Sequence, residues 1–195
     1  MRNRWLTGAL RATLPLLLPF VLAIPAGAQE TASRTTSMKS PGCSKPRFSA
    51  EDSASWTCPG LPGFVVAGTE QDVRWTISVG RTAAAARKEP AATTTFGPPN
   101  FADDTIEWRT PAGAKQPAAI IQRWTLIPSE EPRRSVLVVT RLPPGPVCHV
   151  AYVNATTPDA DTVARKAADE LARGFDCKGA PPVLGGGQEI PVIRP

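Results

Sequence analysis

Few side chains in this chain could do chemistry. It has a single histidine, His149, and four cysteines, Cys43, Cys58, Cys148 and Cys177. A zinc site needs three or four ligands, so His149 alone holds no metal. No glycine-rich phosphate loop, Gly-x-Ser-x-Gly or His-Glu-x-x-His occurs. There is no Cys-x-x-Cys, which argues against redox exchange. The carboxylates are scattered. Glu70 and Glu107 could meet from distant strands as a hydrolase pair, but no spacing selects them. No catalytic residue, metal or cofactor is therefore expected.

The cysteines read better as disulfides. Four cysteines allow three pairings. Cys43–Cys58 and Cys148–Cys177 are favoured because each closes a local loop. The element that positions the second pair is the clearest in the chain. Val147 to Val153 is rich in β-branched and aromatic residues, as a strand should be. Thr157 or Asp159 then caps a helix expected to run to about Phe175. Val163, Ala164, Ala167, Ala168, Leu171, Ala172 and Phe175 form one apolar stripe at helical spacing. Arg165–Asp169 and Asp169–Arg173 are candidate i,i+4 pairs. A strand going up and a helix coming back bring Cys148 and Cys177 to the same end.

Further strands are expected at 64–67, 72–79, 105–110, 118–127 and 134–141. Val73, Trp75, Ile77 and Val79 alternate with Asp72, Arg74, Thr76 and Ser78, with Gly68 to Gln71 as the preceding turn. Val136–Val139 is apolar on both faces, so its strand should be central. Residues 81–104 read as a long connection, a loose insertion more than a functional lid, with a short helix over Thr82–Glu89. If Trp75, Trp108 and Trp124 share the core face, then Arg74, Glu107, Arg109, Arg123 and His149 share an open one. That face is the candidate binding site, able to hold an acidic partner or an anionic glycan.

The first 28 residues read as a secretory signal peptide cleaved after Ala28. They hold three arginines and no acid, so the mature chain keeps 19 basic residues against 17 acidic ones. No basic run remains to engage nucleic acid, and no later segment is apolar enough to span a membrane. A periplasmic or secreted location follows, with oxidised cysteines. Residues 29–42 are expected to be a flexible lead-in, 43–177 one domain, and 178–195 a flexible tail.

Several motifs occur together: Trp56-x-Cys58-x-Gly60-x-x-Gly63, Glu70-x-Asp72-x-Arg74 with Gly80, Ile106-Glu-Trp-Arg109, and Cys148-His-Val-Ala-Tyr152 with Phe175-Asp-Cys177. As a set they resemble an uncharacterised family of small exported proteins of alphaproteobacteria. The resemblance covers residues 43–177 and implies export and the extent of the domain, with no catalytic residue.

The expected fold is α+β: an antiparallel sheet of about five or six strands, one long C-terminal helix on one face, and two disulfides. The expected function is a non-enzymatic binding or inhibitor-like module for an envelope protein or glycan. A hydrolase of cell-envelope polymer and a passive stress-protective envelope protein are the alternatives.

Overall fold

The structure is a computed structural model that describes residues 31–49, 53–186 and 189–194. The expected signal peptide and its expected cleavage after Ala28 lie outside the described residues. The strands are β1 (Ala32–Ser37), β2 (Arg47–Phe48), β3 (Ser53–Pro59), β4 (Val65–Gln71), β5 (Arg74–Gly80), β6 (Thr95–Phe96), β7 (Asn100–Thr110), β8 (Ala119–Leu126), β9 (Arg134–Arg141), β10 (His149–Asn154), β11 (Val183–Leu184) and β12 (Val192–Ile193). Helix α1 (Ala83–Ala86) and a 3-10 turn (Pro90–Thr93) follow β5; helix α2 (Ala160–Leu171) follows β10. Among the described residues, no helix is long and apolar enough to cross a membrane.

The fold is α+β with three layers. A six-stranded sheet in the order β1-β7-β8-β9-β10-β11 lies in the middle. It is antiparallel apart from the short β10–β11 pairing. Helix α2 covers one face. A four-stranded antiparallel sheet, β2-β3-β4-β5, covers the other. The period-2 rule explains the sorting. From β8 and β9, Ile120, Trp124, Val136 and Val138 enter the core between the sheets, with Ile77 and Val79 of β5 opposite. Ile121, Leu137 and Val139 point the other way, to α2. The expected central strand is β9, buried on both faces between β8 and β10. The helix buries Ala160, Ala164, Ala167 and Ala168, whose small side chains let it lie close to the sheet. Both disulfides are Cys43–Cys58 and Cys148–Cys177.

Several expectations are corrected. The strands form two main sheets rather than one, because the tryptophan-bearing face is itself covered by β2–β5. Helix α2 is short, 12 residues, and ends at Leu171. Gly174 lies just beyond and disfavours helix; its N–H and that of Phe175 both turn back to the Leu171 carbonyl, at 3.1 and 3.0 Å. Gly68 to Gln71 is strand rather than turn. The turn is the two-residue Asp72-Val73, where both residues have positive φ, 50° and 54°. This is the twist a two-residue hairpin loop requires. Residues 81–104 are no loose insertion, because Ala86, Ala91 and Phe96 are fully buried. Ala32–Ser37, expected in the flexible lead-in, pairs along β7. The tail supplies β11 and β12, and β12 pairs with β6.

Candidate functional site

The residues of the expected binding face separate into three places. Arg74, on β5, belongs to the four-stranded sheet; its Nε donates to the Gly97 carbonyl at 2.8 Å, and its guanidinium pairs with Asp72. Glu107, Arg109 and Arg123 do share a face of the central sheet, but that face lies against α2. Arg109 meets Asp169 through two hydrogen bonds, Nε to Oδ1 at 3.1 Å and Nη2 to Oδ2. Arg165 meets Glu107 at 2.8 and 3.2 Å, and Arg123 lies 3.4 Å from Asp161. The anticipated Arg165–Asp169 and Asp169–Arg173 pairs within the helix are replaced by these helix-to-sheet pairs. Burial alone would raise the Glu107 carboxyl. Hydrogen bonds from Arg165 and Ser33, with the charges of Arg165 and Arg109, outweigh it and hold the pKa below its usual value. The supposed cationic stripe is thus a neutralised seam fastening α2 to the sheet.

His149 lies on the opposite face, away from α2, as Cys148 requires. It is buried rather than open: 3 % of its surface is exposed, and its Nδ1 lies 3.0 Å from the Tyr152 hydroxyl. Burial first, and the nearby Arg194 charge second, push its pKa down to about 3. The imidazole is neutral at pH 7. Burial likewise raises the Tyr152 hydroxyl, against the opposing charge and hydrogen bond of Arg194.

A different arrangement gathers unpaired charge. The loop from Pro111 to Ala118 joins β7 to β8 at one end of the molecule and is flanked by two clefts. One, of about 430 Å³, lies between this loop, the 141–144 segment and the end of α2, and is lined by Lys115, Arg141 and Arg173. The other, of about 340 Å³, lies toward β1 and the 61–62 turn, and is lined by Arg34 and Lys115. Arg81 stands between the sheets at this end. It donates to Gln116 of the loop and to the Gly63 carbonyl, and lies 4.1 Å over the Phe64 ring. Neither cleft is lined by a carboxylate. Among the described residues, none of Arg34, Arg81, Lys115, Arg141 and Arg173 forms an ion pair with one.

Arg141 is held in place by its own backbone neighbours. Its Nη1 donates to the Phe175 carbonyl at 2.8 Å and its Nη2 to the Pro144 carbonyl at 2.9 Å. Its Nε is buried and, among the described residues, has no hydrogen-bond partner. The other four cations are exposed. Away from this loop, acids carry basic partners: Asp72 with Arg74, Asp104 with Lys39, Glu131 with Arg134 and Asp161 with Arg123. Cations without carboxylate partners therefore gather around the 111–118 loop. Sequence reading missed this because the five cations lie far apart in the chain. The hint available was that Arg81, Lys115, Arg141 and Arg173 each stand at or near the end of an expected strand or helix; Arg34, in the expected lead-in, gave none.

Among the described residues, no group of three or more His, Cys, Asp and Glu stands together as a metal site. Comparison with protein-family models, with curated proteins and with solved structures returned no match.

Proposed function

We propose that this chain is an exported, disulfide-stapled binding module whose cationic end takes an anionic component of the cell envelope, an acidic protein surface or an anionic glycan. The first 28 residues act as the signal peptide, cleavage follows Ala28, and the mature domain works in the periplasm or outside the cell. The motif set's resemblance to small exported alphaproteobacterial proteins supports this location. Two disulfides also suit an oxidising compartment.

One observation carries the reading. Five cations without carboxylate partners surround the 111–118 loop, and both flanking clefts lack an acid. Elsewhere Arg109, Arg123 and Arg165 are neutralised by neighbours. A patch of one sign concentrates counter-charged partners and speeds their encounter. The hydrolase alternative has less support, because Glu70 and Glu107 stand in different sheets and Glu107 is held by Arg165.

The test is retention of residues 29–195 on immobilised poly-L-glutamate at low and moderate salt. Reversing Arg34, Lys115 and Arg173 to Glu together is expected to weaken retention at least tenfold. Arg74→Ala with Arg123→Ala is expected to leave it unchanged. Equal retention of the triple reversal and the parent chain would sink the proposal.

A further inference from the structure

We propose that the cavity beside His149 is a second, separate site that binds a small oxyanion, a carboxylate or phosphate group. The cavity is about 230 Å³ and is walled by His149, Tyr152, Thr94, Lys178, Arg194 and the Cys148–Cys177 disulfide. It is smaller than the usual pocket for a drug-sized ligand but holds far more than a single water.

The chemistry follows from the hydrogen-bond roles. His149 is almost wholly buried, lines this cavity, and uses Nδ1 for the Tyr152 hydroxyl. Among the described residues, its Nε2 has no hydrogen-bond partner. The Arg194 charge is close enough to bear on both His149 and Tyr152, and a guanidinium only donates. Nδ1 and the Tyr152 hydroxyl share one hydrogen bond, whose direction sets the tautomer. A neutral imidazole that accepts at Nδ1 carries its proton on Nε2. The cavity is lined by a guanidinium and the Lys178 ammonium, donors and positive charge, beside an imidazole whose Nε2 donates when the Tyr152 hydroxyl gives its proton to Nδ1. No carboxylate lines it. The nearest acids in the chain are already used, with Glu89 accepting from the Val147 N–H at 2.7 Å and Asp176 from the Lys178 N–H at 3.0 Å.

The site is also built to hold its shape. The disulfide fixes Cys148 against Cys177, next to His149 and Lys178 respectively. Pairing of β12 with β6 brings Arg194 across the cavity, where its Nη1 is anchored on the Gly179 carbonyl at 2.9 Å. This placement does not depend on the 111–118 loop, so the two sites can be tested separately.

The experiment uses the ¹⁵N-labelled, disulfide-bonded chain. One histidine gives one pair of imidazole nitrogen signals, Nδ1 and Nε2. Inorganic phosphate and succinate are titrated in turn, with sodium chloride at matched ionic strength as the control. A saturable shift at Nε2 is expected with at least one of the two, and the tighter probe tells a phosphate from a carboxylate ligand. Arg194→Met should weaken that binding at least tenfold and Lys178→Ala at least threefold, both with unchanged melting temperature. Shifts that rise linearly and match those of chloride would overturn the proposal, as would unaltered affinity in both variants.

Discussion

His149 Nδ1 lies 3.0 Å from the Tyr152 hydroxyl, although the two residues are three apart on one strand. Strict alternation would place them on opposite faces. The β10–β9 register shifts between His149 and Ala151. Val150 and Ala151 both pack toward α2, so the strand spends one extra residue on that side. This bulge returns Tyr152 to the face of His149, and Phe96 and Trp124 then enclose the pair.

Stability should depend on pH through His149. The folded state keeps the ring neutral, with a pKa of about 3; an unfolded histidine titrates near ~6.5. The stabilisation is complete above the unfolded value and is lost as pH falls from there toward the folded one, at up to about 1.4 kcal/mol per pH unit. Glu107 is also held low, from an ordinary value of 4.5, and acts only below that value. Urea midpoints in phosphate-free buffer should therefore fall between pH 6.5 and 5, and His149→Gln should flatten that interval. A parent midpoint that stays level there would contradict a buried neutral imidazole.

Asp169 should matter more than its place on a helix surface suggests. It receives two hydrogen bonds from Arg109, which is 9 % exposed. Asp169→Ala leaves that guanidinium buried and short of a partner, and should cost about 2–3 kcal/mol. Arg165→Ala removes a half-exposed partner and should cost about 1 kcal/mol or less. Urea denaturation of the two variants side by side checks the order; equal costs would mean that the seam does not bear on Arg109 as described.

Gly68 leaves room for an indole. It pairs with Trp56 across β3 and β4, and a Cβ there would stand 2.3 Å from Trp56 Cε2. Trp56 in turn packs on Trp75, with ring centroids 4.8 Å apart. Gly68→Ala should cost about 1–3 kcal/mol by overpacking and change the near-ultraviolet circular dichroism of the tryptophans. Gly174→Ala is the control, since nothing lies within 4 Å of its added methyl.

The legible parts of the fold are those with local patterns. Both disulfides close short loops. β8 and β9 alternate or run apolar, and the alanine stripe of α2 has helical spacing. The illegible parts lack such a signal. β1 reads Ala-Ser-Arg-Thr-Thr-Ser, an exposed edge strand with nothing to bury. Val73, a β-branched residue, occupies a turn position that favours glycine or asparagine, so the β5 hairpin is misplaced by its side-chain type. The second sheet escapes notice because alternation says which residues are buried but not what buries them. The same gap turned the Glu107, Arg109 and Arg123 face from an open surface into the seam under α2. The cluster around the 111–118 loop needs all three layers before its members become neighbours.

The central claim is that the end bearing Lys115 is the one that meets a partner. A photo-crosslinking residue placed in the exported protein at position 115, and separately at Glu130 on the opposite end, tests it in living cells. The account predicts one dominant envelope adduct from position 115, little from position 130, and loss of the adduct when Arg34 and Arg173 are reversed to Glu. Equal capture from both ends, or none from position 115, would contradict it and favour a passive envelope protein.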